Sequence, residues 1–503
     1  MRKKTLLIFF FLALLVVILR LPSLPMILDT DSSVNAFFAR QMLRGEILYD
    51  KYHPTHHLPG IYYTFVIAFK LLGDNPTAPK LLLFAFTFAS TWLIFLMGRA
   101  FFDERAGILG AFFYILGSSQ VLLLGMTTEM ELFANLPLIA TMFLFLVLLR
   151  KDAPAVQFVW VGMLGAICIL YKITFVGPLV SAGTSIFIAA WLERNQAGSG
   201  KKLFARLGSI AIGLILPLVF VGGYFASLGL WQRVILAFTF GFNYFYDTTL
   251  LPGGIIFPKP FGFPLFILAS NNIALLVFGL IGTYRLIRRA IPLRTTEKLT
   301  DLTLSLWLIL SFALAGMRGG GFSYYVLVVI PPLALMAGIE ISLFSQRPRI
   351  PSAKKQALLG ASIMIDLIVI LFFWRNFDLY RPYIAMKFDL VSHEKTSYQV
   401  YQDRQQAIIN YIKSHTSPED FIYVWSTSLQ EYYYADRLPP IDILWPEYVS
   451  ATGSPQRIFN PRTKYIIVDD VKFRPQWFMD GLDQSYYLEA TKNGIEIYRR
   501  ATP

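Results

Sequence analysis

Cysteine is nearly missing from this chain. Cys168 is the only one in 503 residues, which excludes an intrachain disulfide and a cysteine-built metal cluster and leaves the redox compartment unread. Charge is scarce as well: Asp, Glu, Lys and Arg make up 15% of the residues, and histidine occurs five times. No internal repeat or low-complexity tract stands out, and no A-x-A-like cleavage site follows the apolar N-terminal stretch. What fills the chain is apolar. Hydrophobic residues reach 55%, aromatics 16% and the mean hydropathy is +0.53, more than one soluble core can bury. Such a composition belongs to a multi-span membrane protein. The net charge of +13 would point to nucleic acid in a soluble protein, but basic loops beside apolar spans explain it through the positive-inside rule, so nucleic acid is not an expected partner.

A bilayer core needs roughly 20 apolar residues per helix. About eleven segments qualify, near 5–24, 80–98, 107–125, 132–149, 157–171, 173–191, 208–227, 263–283, 302–317, 324–344 and 357–374. With the N-terminal "MRKK" in the cytoplasm, the basic connections "GRAFFDER", "RKDAP", "ERNQAGSGKKLFAR", "RLIRRAIPLRTTEK" and "SQRPRIPSAKK" all fall inside. Residues 25–79, 126–131, 228–262, 318–323 and everything after about 375 then lie outside the cytoplasm, in a cell (plasma or inner) membrane protein. The first segment reads as a retained anchor, with "RLPSLP" closing its helix. After about residue 375 the pattern changes: "DRQQAIINYIKSHT" has helical periodicity, and "DFIYVW", "TKYIIVDDV" and "GIEIYRR" look like short strands. The fold class expected is mainly α, a polytopic transmembrane helix bundle over 1–375 with a small extracytoplasmic α/β domain over 376–503.

The outer loops hold the candidate chemistry. In "ILDTDSSVNAFFARQML" the residues Val34, Phe37, Phe38, Met42 and Leu43 fall near helical spacing, as in an interfacial helix lying on the membrane. Asp29 and Asp31 precede it, where a carboxylate caps free N–H groups; the alternative role is a general base at the membrane surface, meeting a lipid-borne substrate and a hydroxyl acceptor together. The D-x-D spelling is a weak signal for a nucleotide-sugar metal site, and nucleotide sugars are not supplied on that face. His53, His56 and His57 follow in a Pro-broken loop and offer imidazoles for a metal, although His56 and His57, being adjacent, cannot share a helix face. Glu129 and Glu131 stand where the fourth span begins, Glu131 followed by a wholly apolar run. Lys172 interrupts "GAICILYKITFVGPL" with no acid near it in sequence, so it either snorkels outward or meets an anion such as a lipid phosphate. Arg318, in "GMRGGGFSYY", puts a second cation beside a glycine turn on the same face. The aromatic loop "FGFNYFYDTTLLPGGIIFPKPFG" suits a lid or sugar platform as well as a membrane interface, and its Asp247 is a further acceptor-site candidate.

The acid soon after the first span, "ARQMLRGEILYD", "HLPGIYY", "ELFANLP", Lys172 in "LYKITF", "GFSYYVLVVIPPLALMAG" and the late "AIINYIKSHTSPEDFIYVW" and "YYYADRLPP" together resemble the GT-C superfamily of membrane glycosyltransferases. The likeness is to the branch of protein O-mannosyltransferases, the aminoarabinose transferase of lipid A and the bacterial Rgt-type enzymes. It implies transfer of a hexosyl or pentosyl group from a polyprenyl-phosphate donor to an extracytoplasmic lipid, glycan or protein acceptor. By that resemblance the catalytic acid falls on Asp31, and the phosphate-binding cations on Lys172 and Arg318. Many members have Asp-Glu where this chain has Asp31-Ser32, which leaves the glutamate's role to another group such as Glu131, orienting the acceptor or binding a divalent metal. Ser323 replaces a histidine common before the late "YY". The chemistry fits these residue types: a lipid phosphate leaves readily once cations neutralise its growing charge, and one carboxylate suffices for a single displacement with inversion. The rival readings are a transporter or flippase of lipid-linked sugars, which tends to show repeated halves and midplane charges, and a receptor with an α/β sensor domain.

Overall fold

The computed structural model describes residues 3–55, 57–192, 199–246, 259–293, 295–317, 322–346, 351–387, 397–449, 455–469 and 474–501. Arg318, His56 and Asp247 lie outside the described residues. The chain divides into two compact units.

The first unit, Met1–Leu24, Leu81–Tyr224 and Phe245–Tyr380, is a helical bundle. Each of the eleven apolar segments read from the sequence falls on a helix. Among the described residues, eight helices are long and apolar enough to cross a membrane, from Lys3–Ser23 to Gln356–Arg381, so the chain is a multi-pass membrane protein. The helices at the third, fifth and tenth segments, Glu104–Ser118, Val159–Tyr171 and Ile330–Gln346, are shorter. Two of them meet through glycine. A Cβ added at Gly338 would lie 2.4 Å from the backbone nitrogen of Gly110, so the helices touch backbone to backbone, as small residues allow in membranes. The first helix ends at Arg20, whose side chain is fully buried and donates from Nη1 to the Gly125 carbonyl and from Nη2 to the Ser118 carbonyl, both at 2.9 Å.

The second unit gathers Pro25–Lys80, Phe225–Tyr244 and Arg381–Pro503. Its sheet comprises β1 (Phe421–Trp425), β2 (Thr463–Val468), β3 (Tyr486–Lys492) and β4 (Ile495–Arg500), ordered β1-β2-β4-β3. β1 and β2 run parallel, with helices in the crossover, and the other two pairings are antiparallel. The three expected strands and the expected helix, Ser397–His415, are present. β3 is additional: its mostly exposed residues give no alternating apolar pattern. The hairpin joining it to β4 turns at Asn493 (φ 52°) and Gly494 (φ 81°), left-handed values at both central positions that Asn-Gly adopts at low cost. Trp425 stacks on Phe478 with centroids 3.9 Å apart in the core beneath the sheet.

The helix Thr30–Leu43 starts on Asp29, whose Oδ1 accepts from the Ser32 N–H at 3.3 Å. It ends in a Schellman motif. Gly45 (φ 98°) donates to the Met42 carbonyl and Glu46 to the Gln41 carbonyl, the pairing a C-terminal glycine in a left-handed conformation permits. The apolar positions whose spacing suggests a helix lying on a membrane pack inward. Val34, Phe37 and Phe38 are buried against protein, with Phe37 meeting Tyr52 and Tyr432 and Phe38 meeting Tyr62.

Candidate functional site

In the first unit, Glu131 and Lys172 come together. Glu131 sits in the first turn of Met130–Arg150, and its side chain is fully buried. Lys172 occupies the joint between Val159–Tyr171 and Gly177–Leu192, in extended backbone (φ −162°, ψ 134°). Breaking the helix there swings the side chain out of the apolar run. Lys172 Nζ donates to Glu131 Oε1 at 3.1 Å and stands 3.6 Å from the centroid of the Tyr325 ring, a close cation–π contact. The lysine expected either to snorkel or to meet an anion therefore meets a carboxylate 41 residues earlier.

Glu131 Oε2 has no hydrogen-bond partner among the described residues. A cavity of about 10 Å³ adjoins the pair, lined by Thr174, Phe175, Leu314, Ala315 and Val328 besides the three residues in contact. It has room for about one water. Anything as large as a phosphate meets Lys172 from the exposed side of its chain, 17% of which is open. An ammonium carries three donors, so the bond to Glu131 leaves two for another anion. Tyr325 was not singled out as a site residue, though its motif was; the aromatic pair in "GFSYY" was the available signal. Glu129 stands at the N-cap position of the Glu131 helix, and its Oε1 accepts from Thr127 Oγ1 at 3.2 Å. Ser323 donates to the Leu122 carbonyl at 2.6 Å.

The two aspartates, in the second unit, have separate parts. Asp29 is committed to the cap; Asp31 follows in the first turn, half-buried, with the fully buried Tyr62 within electrostatic reach. The segment ahead of them is held at both backbone ends. Lys80 Nζ donates to the Met26 carbonyl, and the Leu28 N–H donates to the Tyr434 hydroxyl at 2.8 Å.

The far end of the aspartate helix carries an ion-pair cluster. Arg40 grips Asp74 with two hydrogen bonds of 2.6 and 3.0 Å, donates to the Tyr433 carbonyl at 2.6 Å and lies 4.0 Å over the Tyr433 ring. Arg44 pairs with Asp436 at 2.7 Å. These bonds hold the Arg40 guanidinium above its ordinary range against its burial, and the Asp436 carboxyl below its own. The same charged side chains line an open cleft of about 400 Å³.

His53 and His57 are occupied by the fold. His53 Nδ1 accepts from the Thr55 N–H at 3.0 Å, which fixes the proton on Nε2, and Nε2 donates to the Arg233 carbonyl at 2.8 Å. Burial pushes its pKa down, consistent with a neutral ring. His57 Nδ1 is 3.1 Å from the Tyr62 hydroxyl. Among the described residues, no group of three or more His, Cys, Asp or Glu is arranged to hold a metal.

No protein-family model matches the sequence, and no curated protein matches it. Solved structures do match in fold. The structure of ArnT from Cupriavidus metallidurans bound to undecaprenyl phosphate is similar with a TM-score of 0.64 at 14% identity, over 100% of this chain and 99% of that one. The archaeal oligosaccharyltransferase AglB from Archaeoglobus fulgidus, in complex with an inhibitory peptide and a dolichol-phosphate, gives 0.56 at 13% identity over 100% and 74%. The same organism's oligosaccharyltransferase in complex with Zn and sulfate gives 0.58 at 12% identity over 98% and 73%. These are membrane glycosyltransferases of the GT-C type, and the fold is theirs.

Proposed function

Because the chain has the GT-C fold, we propose that it is an integral-membrane inverting glycosyltransferase that moves a sugar from a polyprenyl-phosphate donor to an acceptor on the extracytoplasmic face. The observation that carries this reading is the likeness in fold, along the whole of both chains, to a structure that holds undecaprenyl phosphate. Asp31 is the base. Its neighbour Asp29 is spent on the helix cap, whereas Asp31 stands half-buried in the first turn of the same helix. Asp31 removes the proton of the acceptor hydroxyl as that oxygen bonds to C1 of the sugar. The bond from C1 to the phosphate oxygen breaks in the same step, with inversion at C1.

Lys172 takes the charge that grows on the departing phosphate. Glu131, through its bond to Lys172 Nζ, keeps the ammonium aimed. Arg318 supplies a second cation to the same phosphate.

Transfer of label from a polyprenyl-phosphate sugar pool, in membranes holding matched amounts of wild type, Asp31→Asn and Lys172→Ala, tests this. Collapse of transfer in Asp31→Asn with weakened donor use in Lys172→Ala is expected. Undiminished transfer in Asp31→Asn removes Asp31 as the base, and wild type that transfers from no polyprenyl-phosphate sugar leaves transport of lipid-linked sugars as the function.

A further inference from the structure

The five residues from Met26 to Thr30 contain no regular structure until the cap, yet their backbone polar groups are tied down almost one by one. The Met26 carbonyl accepts from Lys80 Nζ. The Leu28 N–H donates to Tyr434 Oη at 2.8 Å, and the Leu28 carbonyl accepts from Ser33 Oγ at 3.1 Å. The Asp29 carbonyl accepts from the Ser33 N–H at 2.9 Å and Asp29 Oδ1 from the Ser32 N–H at 3.3 Å. Of these partners, Tyr434 alone comes from the C-terminal segment, 406 residues away in sequence.

Tyr434 belongs to the short helix Gln430–Ala435, "QEYYYA", whose three tyrosines have different tasks. Tyr432 Oη accepts from the Val424 N–H at 2.9 Å and so locks the helix to β1. The Tyr433 carbonyl accepts from Arg40, and Tyr433 Oη donates to Asp74. Gln430 Nε2 donates to Tyr401 Oη on the helix Ser397–His415. A helix pinned in this way on three sides presents the Tyr434 hydroxyl as a fixed acceptor. Its own proton and its dipole lie within electrostatic reach of Asp29.

We propose that Tyr434 is a positioning residue for the catalytic aspartate turn: its hydroxyl, delivered by the C-terminal segment, fixes the Leu28 amide and through it the cap and first turn that carry Asp31. The inference rests on Asp31 being the base. Leu28 is buried, so without the hydroxyl its N–H has no ready substitute partner, and the turn must shift or admit water. A shift of about 1 Å in a base is enough to cost up to about a hundredfold in rate. The C-terminal segment is on this account part of the catalytic apparatus.

The test uses the full chain with Tyr434→Phe, which keeps the ring and deletes the bond. Hydrogen–deuterium exchange over the peptide 26–33 is expected to quicken about tenfold, while kcat for transfer falls about tenfold and the donor KM is unchanged. Unaltered exchange, or faster exchange with undiminished kcat, overturns the proposal. Asp31→Asn in the same assay separates the two premises: if Asp31→Asn also transfers normally, the base assignment has failed, and if it is inactive, the positioning role alone has failed. Should Tyr434→Phe not accumulate, Ser33→Ala removes the hydroxyl on the Leu28 carbonyl without touching the C-terminal segment, and the same two readouts apply.

Discussion

Replacing Lys172 with methionine removes an ammonium from a carboxylate that has no exposed surface. Methionine fills most of the stem's volume, so the cost is chiefly electrostatic. Stranding one member of a buried pair costs about 3–5 kcal/mol, and loss of the contact with the Tyr325 ring adds about 0.5–2 kcal/mol. Glu131→Gln is milder, about 1–3 kcal/mol, because Lys172 keeps its ring and its 17% exposure to solvent or headgroups. The double variant Lys172→Met/Glu131→Gln has no charge left to strand, and an isosteric neutral replacement of a buried pair is often close to neutral. The two single losses should therefore fail to add by at least about 2 kcal/mol. Unfolding of the purified wild type, both single variants and the double variant in one detergent gives the four corners of the cycle. Additivity within about 0.5 kcal/mol would refute the reasoning, since it would mean that the 3.1 Å bond contributes nothing as a pair. Transfer activity gives a second comparison: the stable double variant should remain deficient in donor use, which separates the role in folding from the role toward phosphate.

Arg20 donates to two carbonyls from separate nitrogens, a fork that lysine cannot reproduce, so Arg20→Lys should lower the unfolding temperature nearly as far as Arg20→Met; full rescue by lysine would show that charge alone is needed there. Arg40→Ala removes the paired bonds to Asp74, the bond to the Tyr433 carbonyl and the ring contact together, with an expected loss of about 2–4 kcal/mol, read by limited proteolysis of the second unit; unchanged proteolysis would discount the cluster. Glu431 gives a pH signature. Burial pushes its carboxyl up to about 8, with Asp469 adding to the rise and Arg404 opposing it. A carboxyl with its folded value above its unfolded value keeps a proton that the unfolded chain has released, so stability falls as pH rises from about 4.5 toward 8. Glu431→Gln removes that slope. Relative to wild type it should gain stability across this window, by at most about 5 kcal/mol, and parallel unfolding curves at pH 5, 7 and 9 would contradict the assignment.

The helices were legible because each span announces itself locally, as some 20 apolar residues between basic loops. Even the three short ones stood out by composition. Three strands were legible for the same local reason, their Val, Ile and Tyr runs, while β3, "YYLEATK", turns most of its residues to solvent and shows no alternation. The Asn493-Gly494 turn was the signal that could have found it, since that dipeptide before "IEIYRR" requires a partner strand upstream. The histidines show what spacing alone leaves open. Three imidazoles within five residues suggested a metal, and only the hydrogen bonds to Thr55 and Arg233 show that His53 is fixed neutral with both nitrogens in use. Arg20 and Lys80 were passed over because each stands at a helix end, where a cation usually reaches water, and nothing nearby in sequence tells that carbonyls from distant segments enclose them.

Two of the motifs that carried the family resemblance prove to be halves of one contact. "ARQMLRGEILYD" contributes Arg40, Arg44 and the glycine that closes the helix, and "YYYADRLPP" contributes the Tyr433 carbonyl and ring and Asp436, with Arg44 and Asp436 separated by 392 residues. Neither motif holds the proposed base, yet the helix between them and Asp31 is a rigid rod about 1.5 Å long per residue, clamped at its far end by Arg40 and Arg44 and at its near end by Tyr434 through Leu28. Fixing both ends of a rod fixes its rotation as well as its place, and rotation decides where the carboxylate of a first-turn residue points. Short, degenerate motifs far from Asp31 can thus share one structural task, fixing the helix whose first turn holds it.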